Sequence, residues 1–174
     1  MAKLKVAGAS LLLFLLLVGC ATTTTSYVDS EYENQIERLL IIVGFQSVHG
    51  PIGPPESPAA DAVPTFLPDF EASLQERWNE EGIATVVSAV TVDGQVPLVQ
   101  LLTDSDPEAI ILVEQKASDS AEDVTYEILM LDAPTGDRIW EAEYAGGDTS
   151  PDAVARRMHR GIRKGVQETD LELF

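Results

Sequence analysis

The chain of 174 residues is poor in the groups that carry most enzymatic chemistry, and each scarcity removes a class of function. A single cysteine, Cys20, closes no intrachain disulfide, so stability must come from packing. The two histidines, His49 and His159, stand at no ligand spacing from a cysteine or a carboxylate, and no metal centre is expected. Ser47 precedes His49 closely, but it has no glycine-x-serine-x-glycine frame and no strand-turn-helix setting for a nucleophile elbow. No glycine-rich loop is present to cradle phosphate. Acid pairs such as Asp104 with Asp106, or Glu80 with Glu81, read as solvated charges, and Trp78 and Trp140 as core or hairpin anchors. Cations are also scarce. With 11 Lys and Arg against 29 Asp and Glu, a formal charge of −18, bulk electrostatics exclude a nucleic-acid binder. Finally, the apolar stretch from Leu4 to Val18 falls short of the roughly 20 residues that a membrane-crossing helix needs.

That short stretch has another meaning. Lys3 and Lys5 form a basic n-region, Val6 to Val18 an apolar h-region, and Gly19 is a small residue at a cleavable bond before Cys20. Leu17-Val18-Gly19-Cys20 resembles the lipobox of bacterial lipoproteins at all four positions. The resemblance implies that residues 1–19 are a signal peptide cut between Gly19 and Cys20. It further implies a diacylated Cys20 sulfur, an acylated new amine, and stable anchoring through more than one chain. Ala21 stands where an aspartate favours inner-membrane retention in that family, which implies an outer-membrane, periplasm-facing location. The covalent lipid on Cys20 is the only cofactor expected.

Beyond the leader, nine cations face all 29 acids. Residues 20–33 are expected to be the lipidated cysteine and a short tether, threonine-rich from Ala21 to Ser26 and polar from Tyr27 to Glu33. The eleven residues from Cys20 to Glu31 reach at most about 40 Å, which keeps the domain near the lipid. Residues 34–174 suit one domain with a real core but not two.

Arg38 to Phe45 is a continuous aliphatic run expected to be a strand buried on both faces at the centre of a sheet. Residues 46–65 carry Pro51, Pro54, Pro55, Pro58 and Pro64 and read as a long loop, functional or disordered. Phe70, Leu74 and Trp78 recur every fourth residue between Asp69, a suitable N-cap, and Gly82, which predicts a helix over 69–81. Ile83 to Val92 reads as a strand ending at Asp93-Gly94, and Val96 to Leu102 fits helix or strand. Ala109 to Glu114, Val124 to Leu131 and Asp137 to Tyr144 form an antiparallel meander, with the turn Asp132 to Gly136 joining the last two. Ser150-Pro151-Asp152 opens a final helix. The fold class is therefore α+β: one mixed or antiparallel sheet of about four to five strands, with two or three helices packed on it.

On a helical wheel the final helix gathers Val154, Met158, Ile162 and Val166 with Gly161 and Gly165 on one side, and Arg156, Arg157, Arg160, Arg163 and Lys164 on the other. The basic face reads either as a solvated surface or as an anion- or partner-binding stripe for lipid phosphates, lipopolysaccharide or an acidic protein.

The order of elements resembles the α+β domain of the curli-secretion lipoproteins and the penicillin-binding-protein activator lipoproteins. The resemblance is carried by Leu39 to Val43, by Asp106 to Val113 and by Leu131 to Trp140, where a strand ends in an Asp-x-x-Thr-Gly hairpin before an aromatic-bearing strand. It departs from the activators in its short tether and from the secretion channels in lacking membrane-inserting hairpins. Together these readings predict a non-enzymatic envelope lipoprotein that acts as an assembly, adaptor or stabilising component with an envelope protein partner. Self-association stays open. The competing readings are a cell-wall or lipid hydrolase and a small-ligand-binding lipoprotein.

Overall fold

The computed structural model describes residues 22–45, 63–91, 96–116, 124–146, 150–169 and 171–174. The expected signal peptide with Gly19, the expected lipidation site Cys20, Ser47, His49 and the 46–62 part of the proline-rich segment lie outside the described residues. So do the Asp93-Gly94 turn and the 118–123 connection.

In chain order the elements are β1 (Thr22–Val28), β2 (Arg38–Phe45), α1 (Val63–Glu80), β3 (Ala84–Thr91), α2 (Leu98–Ser105), β4 (Ala109–Gln115), β5 (Thr125–Asp132), β6 (Arg138–Ala145) and α3 (Pro151–Gln167). The strands form one open mixed sheet in the order β1-β6-β5-β4-β2-β3. β2 runs parallel to β3 and β4, and the remaining pairs are antiparallel. The class is α+β as expected, but among the described residues the sheet has six strands and three helices.

The extra strand is β1, and it corrects the reading of Ala21 to Ser26 as part of a tether. Thr22 lies opposite Ala145 and Val28 opposite Trp140, with a register shift between Thr25 and Tyr27. Threonine is β-branched and well suited to a pleated, half-buried surface. What holds it here is remote in sequence: Trp140 Nε1 donates to Thr25 Oγ1 at 3.3 Å, and Thr23 Oγ1 donates to the Gly161 carbonyl at 3.1 Å. The Arg138 guanidinium lies 3.9 Å from the centroid of the Tyr27 ring. The following residues are also tied down, through Asp29 N to Ile139 O at 2.8 Å and the Tyr32 hydroxyl to Asp132 Oδ1 at 3.2 Å.

β2 is an interior strand, flanked by β4 and β3, but it lies one place in from the β3 edge and not at the centre of the sheet, and on its second face Ile42 and Gly44 are only half-buried. Leu39, Ile41, Val43 and Phe45 point into the main core beneath α1 and α3, while Leu40, on the opposite face, is fully buried on its own. α1 begins at Val63, earlier than the Asp69 start and inside the segment read as a loop to residue 65. Prolines are tolerated near a helix start, and Phe66 extends the buried stripe of Phe70, Leu74 and Trp78 by one turn. Phe45 meets Phe66 and Phe70 edge-on, at 5.7 and 5.4 Å between centroids. α1 ends where expected, with Gly82 at φ +86°.

β3 is an edge strand, and α1 covers it chemically. Glu71 Oε1 accepts from the Ala89 amide at 2.6 Å and Asn79 Oδ1 from the Thr85 amide at 3.0 Å. Such capping blunts an edge that would otherwise recruit another chain. The ambiguous segment after β3 is helical: α2 contacts β2, buries no residue fully, and leaves Leu98 and Val99 exposed.

Asp132 gives the Asp-x-x-Thr-Gly hairpin its physical content. Its Oδ2 accepts from the Thr135 amide at 3.0 Å and the Thr135 hydroxyl at 2.8 Å, and Gly136 completes the turn at φ +76°.

Candidate anion-binding surface

Ser150 Oγ accepts from the Ala153 amide at 3.3 Å, Pro151 takes the first helical position, and Asp152 sits in the first turn of α3. The side facing the sheet buries Val154, Met158, Ile162 and Val166, as the wheel predicts. Gly161 and Gly165 let the helix descend onto β1 and β6. A Cβ at Gly161 would lie 2.7 Å from the Tyr144 ring, and one at Gly165 would lie 2.5 Å from the Trp140 ring.

The five cations of α3 are not equivalent. Arg163 and Arg156 turn toward α1: Arg163 Nε lies 3.0 Å from Glu81 Oε2, and Arg156 Nη1 4.0 Å from Asp152 Oδ2. Asp152 is shared with α1, whose Arg77 Nη2 donates to its Oδ1 at 2.6 Å and whose Ser73 hydroxyl donates to the same oxygen at 2.9 Å. Arg77, then Ser73, holds the Asp152 carboxyl below its ordinary range. These pairs border a shallow cleft of about 340 Å³ between α1 and α3, reached also by His159, Arg160 and Gln167. Lys164 lies within 3.6 Å of Glu168, and Arg157 also makes a contact of its own. Arg160 is exposed and makes no ion pair among the described residues.

His159 sits at the back of this cleft. It meets Trp78 edge-on at 4.6 Å, and Trp78 in turn packs on Phe174 at 5.0 Å. Nε2 lies 3.3 Å from Glu81 Oε1 without hydrogen-bonding geometry. Burial lowers the His159 pKa; Glu81 opposes that, while Arg163, Arg77 and Arg160 add to it. Sequence reasoning placed His159 at the margin of the final helix but missed Arg77 and Glu81 as neighbours of the stripe, because these meet it only through the packing of α1 on α3. The one local signal was the spacing of Asp152 and Arg156 on a single helix face.

A second concavity lies on the sheet face turned away from α1 and α3. It has a volume of about 460 Å³, with Ile42, Val90, Leu112 and Leu129 in its floor and Glu114, Glu127 and Glu141 at its rim. Among the described residues, no three His, Cys, Asp or Glu side chains are placed to hold a metal ion, and no helix is long and apolar enough to cross a membrane.

No protein-family model matches the chain, and no curated protein matches it. Among solved structures, the PelC dodecamer of Paraburkholderia phytofirmans is similar with a TM-score of 0.44 and 11% identity, over 82% of this chain and 95% of that one. Lipoprotein GNA1162 of Neisseria meningitidis is similar with a TM-score of 0.34 and 13% identity, over 77% of this chain and 99% of that one.

Proposed function

We propose that this chain is an envelope lipoprotein whose work is placement: a lipid on Cys20 holds a single α+β domain at the periplasmic face of the outer membrane, where it serves a larger assembly as an adaptor or stabilising component. The observation that carries this reading is the position of the lipobox-like cysteine against the first strand. Only Ala21 separates Cys20 from Thr22, where β1 begins. The lipid therefore joins almost directly to the sheet edge instead of to a free tether. Confinement to a thin layer raises the effective concentration of the domain toward membrane partners, and the near absence of slack restricts which of its surfaces can meet them. The second reading, a binder of small apolar molecules, is favoured by one feature, the groove floored by Ile42, Leu112 and Leu129.

Growth with an alkyne fatty acid, followed by membrane separation on a density gradient, tests the proposal. The parent chain is expected to carry label and to band with outer membrane, and the Cys20→Ala chain to lose label and leave the membrane. Label-free parent protein, or a Cys20→Ala chain that still bands with membrane, overturns it. Crosslinking in intact cells with mass spectrometric identification is expected to recover an envelope protein.

A further inference from the structure

We propose that the flank of α3 beside β1, carrying Arg157, Arg160 and Lys164, rests on the phosphate headgroups of an anionic lipid surface; the inference rests on lipidation of Cys20 and names what the anchored domain touches first. Two independent features lead there. The first is chain length. Cys20 is three residues from Thr23, and three residues of chain reach at most about 11 Å. Thr23 is not free to drift from α3, because its hydroxyl donates to the Gly161 carbonyl at 3.1 Å and its methyl would meet a Cβ at Gly165. By chain length alone, the lipid attachment point is therefore bound to within that reach of Thr23, which sits against α3 at Gly161.

The second feature is the direction of charge on that helix. At about 100° per residue, Arg157, Lys164 and Arg160 lie within about 100° of Gly161 on one side. On the other side lie Ile162 and Val166 in the core, followed by His159 and Arg163, which face α1. Since β1 is the outermost strand and α1 lies against β3 at the far end, the Arg157 side of α3 looks out past the sheet edge to which the lipid is joined. Among the described residues, Glu168 is an acid that adjoins this flank, through Lys164.

Elsewhere the mature chain is dominated by acids. Five of its nine cations lie on α3, whereas the sheet face opposite presents Glu114, Glu127 and Glu141 around its groove. An anionic surface would therefore repel most of this domain and attract one helix flank. The acyl chains supply the holding energy, and the basic flank supplies the orientation, in the manner of a two-signal anchor. Arg160 sits at the crest of the helix between this flank and the α1–α3 cleft; it is suited to the contact because it is exposed and makes no ion pair among the described residues. The consequence is a fixed posture, with α3 and β1 toward the headgroups and β3 and α2 away from them.

The mature chain contains two lysines, Lys164 on this flank and Lys116, which is ion-paired to Glu127 at the end of β4, so one reagent reads both a probe and its control. The full lipidated protein is placed in phosphatidylcholine vesicles with or without phosphatidylglycerol, treated with a membrane-impermeant acetylating reagent, and analysed by mass spectrometry. Acetylation of Lys164 is expected to slow about fivefold when phosphatidylglycerol is present and to recover in high salt, with Lys116 unchanged. Arg160→Gln, a change at an exposed side chain, is expected to erase much of that protection. Equal Lys164 rates in the two vesicles, or equal protection of Lys116, overturns the headgroup contact. Protection seen only in native envelopes and not in lipid vesicles also overturns it, and assigns the flank to an acidic protein. The intact mass of the same sample reports the lipid on Cys20 separately; its absence overturns the anchor itself.

Discussion

The Cβ that Gly165 lacks would lie 2.5 Å from Cζ2 of Trp140, with the Thr23 methyl at 2.8 Å on its other side. The last helix, the last strand and the first strand meet at this one point, so the glycine is a spacing device for three elements distant in sequence. Substituting Gly165 with valine is expected to cost about 1–3 kcal/mol or more through overpacking. Thermal unfolding measures this: a clear drop in Tm is expected, and an unchanged Tm would show that α3 does not sit this close to Trp140. Gly165→Ala should be milder, because alanine's helix propensity returns about 1 kcal/mol.

Thr25 gives a test of β1 as part of the fold. Thr25→Val keeps the shape and removes the acceptor for Trp140 Nε1, leaving a donor on a fully buried ring. The expected loss is about 1–2 kcal/mol by urea denaturation. Combined with Trp140→Phe, which removes the donor, the loss from Thr25→Val should shrink. Full additivity in this double-mutant cycle would mean that the two side chains do not interact.

His159 predicts a dependence on mild acid. Its folded-state pKa is lowered from 6.5, mainly by burial, with Arg163, Arg77 and Arg160 contributing and Glu81 opposing. The unfolded chain therefore takes up the proton first as the pH falls. The stability linked to this group is fully present above the ordinary value of 6.5 and declines as the pH drops below it toward the folded-state value. Urea midpoints measured downward from neutral pH are expected to show a decline that His159→Gln flattens. A parent profile that is level through this interval would refute the burial argument.

Asp132 should be the most sensitive residue of the β5–β6 turn. Replacing it with alanine removes the acceptor for the Thr135 amide, the Thr135 hydroxyl and the Tyr32 hydroxyl together. A loss of about 2–3 kcal/mol is expected, with hydrogen exchange rising at Thr135 and along the adjoining strand ends. Exchange confined to the chain termini would contradict this role.

Most of the sheet was legible because its signals are local. Arg38 to Phe45 announces an interior strand by its unbroken aliphatic run, although its second face is closed only at Leu40, and the meander from Ala109 to Tyr144 shows alternation punctuated by a turn whose aspartate, threonine and glycine each have a backbone task. The final helix was equally readable, from its Ser-Pro-Asp start to its glycines. The failures share a cause. Thr22 to Ser26 has no apolar alternation of its own and becomes a strand only because Trp140 and Gly161 offer it partners. The start of α1 hid behind Pro64 and Pro68, and Phe66 acts as a core residue only once Phe45 and Phe70 surround it. For the basic helix, residue type disclosed the charge but not its division: which arginines turn to α1 and which turn outward depends on where Glu81 and Asp152 come to rest.

The pairing of β1 with β6 also sets a temporal order. Thr22 is among the first described residues and its partner Ala145 among the last strand residues, so every other strand of the sheet lies between them in the chain. Contacts this remote in sequence carry a large loop-closure cost and form late. Under the lipidation proposed for Cys20, the end to be cut and acylated would thus adjoin the strand pair that closes last, after β6 has been delivered.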